Sequence, residues 1–229
     1  MQDPQLQTHL GHGSFPQKEK ETPLSSCDQF VHKHFLIISG TIVVTYALGV
    51  LAYGEPFLFF QYAISDLGAT VTKHGYPNPS SRIIMTIGML ICSCLMLRIG
   101  LYQGRSLQHQ RVKRWLAILC AAGFLLFVCP MDVNYTIHSI GAGLMIGSLY
   151  LFDNCFLLEQ RTLMPSLIFW LSQGILQATV LAYAATYFTN AVIKQITQKL
   201  CIAGLLIVSL LSLRGWDRRN RRNHRRGKR

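Results

Sequence analysis

The stretch Phe35–Tyr53, FLIISGTIVVTYALGVLAY, runs for 19 residues without a charged side chain. A helix of that length rises about 28 Å at 1.5 Å per residue, close to the hydrocarbon thickness of a bilayer. Five further apolar runs follow, at Ile83–Leu101, Trp115–Cys129, Ile137–Leu158, Leu167–Phe188 and Leu200–Leu213. The predicted fold is therefore all-α, a polytopic membrane helix bundle with six transmembrane helices. The third and sixth runs are short, and either tilt little or borrow neighbours such as Pro130 and Met131.

Composition agrees, because 50% of the 229 residues are hydrophobic and only 14% are charged, whereas soluble domains carry about a quarter charged residues. Three segments result. Residues 1–34, rich in Gln, His, Pro and Ser, are expected to be a disordered cytoplasmic tail. Residues 35–213 form the six-span membrane domain, and 214–229 a basic cytoplasmic tail. The first apolar run has no cleavage pattern behind a short h-region and reads as a retained span.

The net charge of +12 does not point to nucleic acid, because nine of the 22 basic residues lie between Arg214 and Arg229. Beside a membrane span, such a run has anionic lipid as its nearest partner. The remaining basic residues set the orientation. Six spans put both termini on one side, with 18 Lys and Arg there against Lys73, Arg82, Lys194 and Lys199 on the other. By the positive-inside rule the termini are cytoplasmic. Which membrane houses the chain, and its oligomeric state, are left open. Seven cysteines, mostly inside apolar runs, show no C-x-x-C pair and no disulfide framework.

The first outer loop, Gly54–Arg82, is too apolar for a free loop, with Phe57, Leu58, Phe59, Phe60, Tyr62, Ile64 and Leu67. It is too short, with Asp66 inside, for a span. A re-entrant or interfacial segment fits that composition. On the fourth span, Ser139, Gly143 and Gly147 recur every four residues and predict a packing seam. Gln173 and Gln177 on the fifth are i, i+4 neighbours suited to interhelical hydrogen bonds.

Ionisable groups in a membrane cost a few kcal/mol each, so each needs a partner or a task. Asp66, Asp132 and His138 all fall at the outer face, with Asn134, Tyr135, His74 and Arg82 nearby. Two carboxylates and an imidazole could bind a divalent cation, or act as base and orienting acid on a lipid headgroup. The structural alternative has Asp66 capping a turn, Asp132 pairing with Arg82, and His138 making one interhelical hydrogen bond. Asp153, near the inner end of the fourth span, is expected to pair with Arg98 or Arg161. No G-x-S-x-G, H-E-x-x-H or G-x-x-x-x-G-K-[ST] motif occurs. A serine hydrolase using Ser65 with Asp66 and His138 has the right residue types but no sign that they meet. No metal and no cofactor is assigned.

The same residues carry a family resemblance. Ala63-Ile64-Ser65-Asp66-Leu67-Gly68-Ala69, Asn78-Pro79, Pro130-Met131-Asp132 and His138 resemble the membrane family called domain of unknown function 998. More distantly they are similar to the Frag1/DRAM/Sfk1 group, across roughly Tyr62–Leu158. The resemblance implies a six-span fold and marks Ser65, Asp66, Gly68, Asp132 and His138 as the positions to test. Within the second group, members are implicated in remodelling glycosylphosphatidylinositol-type anchors, in autophagy and in plasma-membrane lipid organisation.

The expected function is recognition or processing of a lipid or lipid-linked headgroup in an outer-face pocket. Asp66 and His138 would form its centre, with Asp132 orienting His138. Ser65 and Gly68 would shape the turn, Asn134 would be available nearby, and Arg82 would meet a phosphate. A non-enzymatic membrane organiser is the first rival. A small transporter is the second, less favoured because the ionisable groups cluster at one end rather than through the bilayer depth.

Overall fold

The computed structural model describes residues 26–102, 110–162, 164–189 and 193–226. Among them the chain forms six α-helices and one 3-10 turn: α1 Ser26–Leu51, the turn Ile64–Gly68, α2 Pro79–Leu101, α3 Gln110–Phe127, α4 Tyr135–Gln160, α5 Ser166–Phe188 and α6 Lys194–Arg226. A single isolated bridge, Val71 with Pro77, is the only β pairing among the described residues. Five helices contain segments long and apolar enough to cross a membrane: Phe30–Leu51, Pro79–Leu101, Tyr135–Gln160, Ser166–Phe188 and Lys194–Leu211. α3, of 18 residues, differs because Arg111, Lys113 and Arg114 fill its first turns.

Local chemistry sets where several helices begin. Asn78 precedes Pro79, whose missing N–H costs nothing at a first helical position. Asn134 caps α4, its Oδ1 accepting from the Ile137 amide at 3.0 Å. α1 starts at Ser26, earlier than the expected tail end at residue 34. Aromatic packing explains the extension: Phe30 stacks on Tyr102 with centroids 4.2 Å apart, and Val31 and His34 are buried. Residues 1–25 of the expected tail lie outside the described residues, as do 227–229 of the basic one.

The close helix seam runs along a different face of α4 from the one its glycine spacing suggested. Gly143 and Gly147 have nothing within 4 Å of where a Cβ would stand. Gly141 instead abuts the α3 backbone, a Cβ there falling 2.7 Å from the Leu126 carbonyl carbon, and Gly123 of α3 abuts Met145, 2.8 Å from its Cα. Backbone-to-backbone approach of this kind is what small residues permit. Around it, Phe35 stacks on Phe152 at 5.0 Å, and Cys92, Cys120 and Cys201 are fully buried as small apolar groups.

Asp153 also departs from expectation. It is buried between α4 and α6, where the Ser209 hydroxyl donates to its two carboxylate oxygens at 3.0 and 3.1 Å. Arg98 lies over the Phe30 ring and Arg161 over Phe169 instead of pairing with it. Long cationic stems cover aromatic surface well, and at the helix ends the charge stays close to water.

Candidate functional site

Residues 54–78 fold into a cap over one end of the bundle, tied down almost wholly by side chains reaching its backbone. Asn78, 1% exposed, is the central tie. Its Nδ2 donates to the carbonyls of Leu67 and Ala69 at 3.3 and 3.1 Å, and its Oδ1 accepts from the Gly54 amide at 3.3 Å. Ser81 of α2 adds a bond to the Leu67 carbonyl at 2.9 Å. From α6, Gln198 Oε1 accepts from the Ile64 amide at 2.9 Å, and the Lys199 ammonium donates to the Tyr62 carbonyl. An irregular segment can be buried only when its backbone polar groups are met in this way. Leu67 then sits fully buried beneath, while Phe59 and Phe60 remain exposed on the rim.

Asp66 is buried and closes its own turn, Oδ2 accepting from the Ala63 amide at 2.7 Å. The same oxygen lies 3.3 Å from the Lys73 ammonium, and Lys73 also donates to the Gln61 carbonyl at 3.0 Å. The Lys199 ammonium rests over the rings of Phe57 and Phe59 at 5.9 and 5.0 Å. Lys73 is thus the one ion-pair partner of this buried carboxylate among the described residues. Beside it, His74 Nδ1 donates to Glu55 Oε2 at 2.6 Å, with the Tyr62 hydroxyl 3.3 Å from that nitrogen. Partial desolvation raises the Glu55 carboxyl, but hydrogen bonds from His74, Tyr62 and Thr72 outweigh it and hold the group below its usual range.

Asp132 does not pair with Arg82. It straddles the backbone after the turn, its carboxylate accepting from the Thr70 amide at 3.1 and 2.9 Å, the Val71 amide at 3.2 Å, and the Thr70 hydroxyl. His138, buried on α4, donates from Nδ1 to the Cys129 carbonyl at 2.8 Å and packs on Phe127 with centroids 4.3 Å apart. This bond reaches the segment between α3 and α4, not another helix, so the expected interhelical bond of the histidine is replaced by one to a connecting loop. Its Nε2 is buried with no hydrogen-bond partner. Ser65 Oγ faces the Met131 sulfur at 3.8 Å rather than a base. Gly68 is the last residue of the turn, and Asn134 serves as the α4 cap.

The seven expected residues therefore gather at one end, but Asp66, Asp132 and His138 each engage a different partner. Among the described residues no group of three or more His, Cys, Asp or Glu side chains is placed to hold a metal ion. Arg82 stands apart, exposed on the first turn of α2 above a groove of about 290 Å³ lined by Pro79, Ile83, Thr86 and Ile87. Sequence reading placed His74 near this cluster but missed Asn78, Gln198, Lys199 and Glu55 as members of it. The Gln195-Ile196-Thr197-Gln198-Lys199 run at the head of the last helix was the available signal. No family model, curated protein or solved structure matches the chain.

Four hydrogen bonds to ionised Asp132 set a pH dependence. Partial desolvation raises its carboxyl, but the Thr70 and Val71 bonds dominate and hold it below the ordinary aspartate value. A folded-state value below the unfolded one gives stability that is present above about pH 4 and lost as pH falls through the folded value. Acidification from pH 7 to pH 3 is expected to lower the thermal midpoint of the purified protein, and Asp132→Asn to shrink that drop. An unchanged drop in the variant would place the pH sensitivity elsewhere.

Proposed function

We propose that the chain is a six-span membrane protein whose capped end recognises a phospholipid or lipid-linked headgroup. α3 supplies the sixth span: its 18 residues rise about 27 Å, and the long basic side chains of its first turns snorkel to the interface. Both termini are then cytoplasmic, and the cap with its Phe59–Phe60 rim rests in the opposite interface.

Arg82 carries this reading. It is exposed on the first turn of α2 with no ion-pair partner among the described residues, and it lines an apolar surface groove together with Pro79, Ile83, Thr86 and Ile87. A guanidinium at headgroup depth over Ile83 and Ile87 fits a phosphate with an acyl chain beneath it. Asp66, Asp132, His138, Ser65, Gly68 and Asn134 act as positioning residues for the cap. Recognition rather than processing is favoured because both aspartates are committed to fixed bonds. The distant resemblance to the Frag1/DRAM/Sfk1 group, some of whose members are implicated in lipid remodelling, is in keeping with a lipid role. The non-enzymatic organiser is the second reading, supported by the many side chains spent on holding the cap.

The test is photolabelling of the reconstituted protein with a phospholipid carrying a photoreactive acyl chain. Wild type is expected to take label on α2 near Ile83 and Ile87, and Arg82→Gln to lose about tenfold of it, the equivalent of one charge-assisted contact. Equal labelling of the two proteins, at matched folding, would leave the organiser as the better account.

A further inference from the structure

A second cleft lies at the opposite end of the bundle, between α4 and α5. The two helices are bridged near the cap by Tyr135 and Tyr187, whose hydroxyls are 3.3 Å apart. Further along they are joined by a network in which the Gln177 amide nitrogen donates to Asn154 Oδ1 at 3.1 Å and to Gln173 Oε1 at 3.2 Å. Tyr150 donates its hydroxyl to Gln177 Oε1 at 2.5 Å, and Asn154 donates to the Tyr150 carbonyl at 2.8 Å. Beside this network Gly174 has nothing within 4 Å of its Cβ position. The space left is about 480 Å³, with Leu158, Arg161, Trp170, Gln173, Gly174 and Gln177 among its walls.

Depth and polarity in this cleft form a sequence. Arg161 and Trp170 stand exposed at the mouth, and the Arg161 guanidinium faces the Phe169 ring at 5.8 Å, with no carboxylate in ion-pair distance among the described residues. From the α5 start at Ser166, Gln173 lies about 10 Å and Gln177 about 16 Å along the helix axis. Both hydrogens of the Gln177 amide are used, whereas the Gln173 amide nitrogen has no acceptor among the described residues. An amide at that depth in hydrocarbon calls for an acceptor that neither water nor an acyl chain supplies.

We infer that the α4–α5 cleft binds an acidic glycerophospholipid of the leaflet at that end. Its phosphate meets the Arg161 guanidinium, a glycerol ester carbonyl accepts from Gln173 Nε2, and one acyl chain lies over Gly174. Charge selects the occupant. Glu159 is already engaged by Lys113, so Arg161, with Arg111 and Arg114 at the same end of the bundle, presents positive charge without a matching carboxylate among the described residues. A second copy of the chain docking symmetrically would bring another Arg161 to the same mouth, against like-charge repulsion. A lone acyl chain would leave both the guanidinium and the Gln173 amide unmet.

The experiment uses the full chain in detergent, with retained lipid counted by native mass spectrometry against phosphatidylglycerol and phosphatidylcholine. Phosphatidylglycerol is expected to be held about tenfold more strongly, and Arg161→Gln to remove that preference. Gly174→Leu fills the cleft where a side chain meets no neighbour, so it should keep the fold and melting behaviour while cutting retention of both lipids. Soluble glycerol 3-phosphate should displace neither. Equal retention of the two lipids, an Arg161→Gln protein that keeps its preference, or full retention by Gly174→Leu would each overturn the assignment. So would displacement by glycerol 3-phosphate, or a dimer that Gly174→Leu dissolves. The Arg82 groove faces the other leaflet, so Arg82→Gln leaves this preference intact and the two readings fail separately.

Discussion

Asn78→Ala is expected to release the cap and destabilise the protein by about 3 kcal/mol, because one buried side chain serves three backbone groups and each orphaned group costs about 1–3 kcal/mol. The Leu67 carbonyl keeps its bond from Ser81, so the losses concentrate at Gly54 and Ala69. The Ala69 carbonyl gains water poorly because Ala69 is buried, whereas Gly54 is exposed and its amide is the easier of the two to rehydrate. The substitution also leaves a void of several heavy atoms beneath the turn. Asn78→Asp keeps an acceptor for the Gly54 amide but presents oxygen to two carbonyls, so it should be at least as damaging. Unfolding in sodium dodecyl sulfate, followed by circular dichroism, measures both. Wild-type behaviour in both variants would mean that the cap is held without this residue.

Gly141→Ala has the other large expected effect, a loss of about 3 kcal/mol through the α3–α4 seam. The added methyl falls 2.7 Å from the Leu126 carbonyl carbon and 2.9 Å from its Cβ. Backbone cannot swing aside as a side-chain tip can, so the helices must separate and lose dispersion contacts along their length. Gly143→Ala is the matched control. Only two residues away, it meets nothing within 4 Å, and the gain in helix propensity is about 1 kcal/mol in its favour. The same detergent titration ranks the two. A larger cost at Gly143 than at Gly141 would mean that α4 presents its other face to α3.

Hydropathy located the bundle well because lipid demands long unbroken apolar runs. The expected Leu167–Phe188 run became Ser166–Phe188, and Ile137–Leu158 became Tyr135–Gln160. Helix ends were less legible, since they are built from polar residues that hydropathy assigns to loops. The expected last span began at Leu200, yet α6 begins at Lys194 because Thr197, Gln198 and Lys199 are buried under the cap. Glycine spacing was ambiguous for a related reason: Ser139, Gly143 and Gly147 define a face, but periodicity does not say where the neighbour lies. For the site, the polar positions at one end were readable as such. The bond partners were not, because Asp132 and Asn78 bind backbone, which carries no sequence signature, and the turn's other ties come from Gln198 and Lys199 at the far end of the chain.

That last connection has a consequence for biosynthesis. The amide of Ile64 waits for Gln198, 134 residues later, and the carbonyl of Tyr62 for Lys199, 137 residues later. At roughly 5–20 residues per second, a ribosome needs on the order of 7–27 s to supply them. Throughout that interval the early helices are inserted while the segment above them has exposed amides and unburied aromatic rings. The cap therefore stays unlatched at Ile64 and Tyr62 until the final helix has been made, and a chain that stops short of it lacks both bonds.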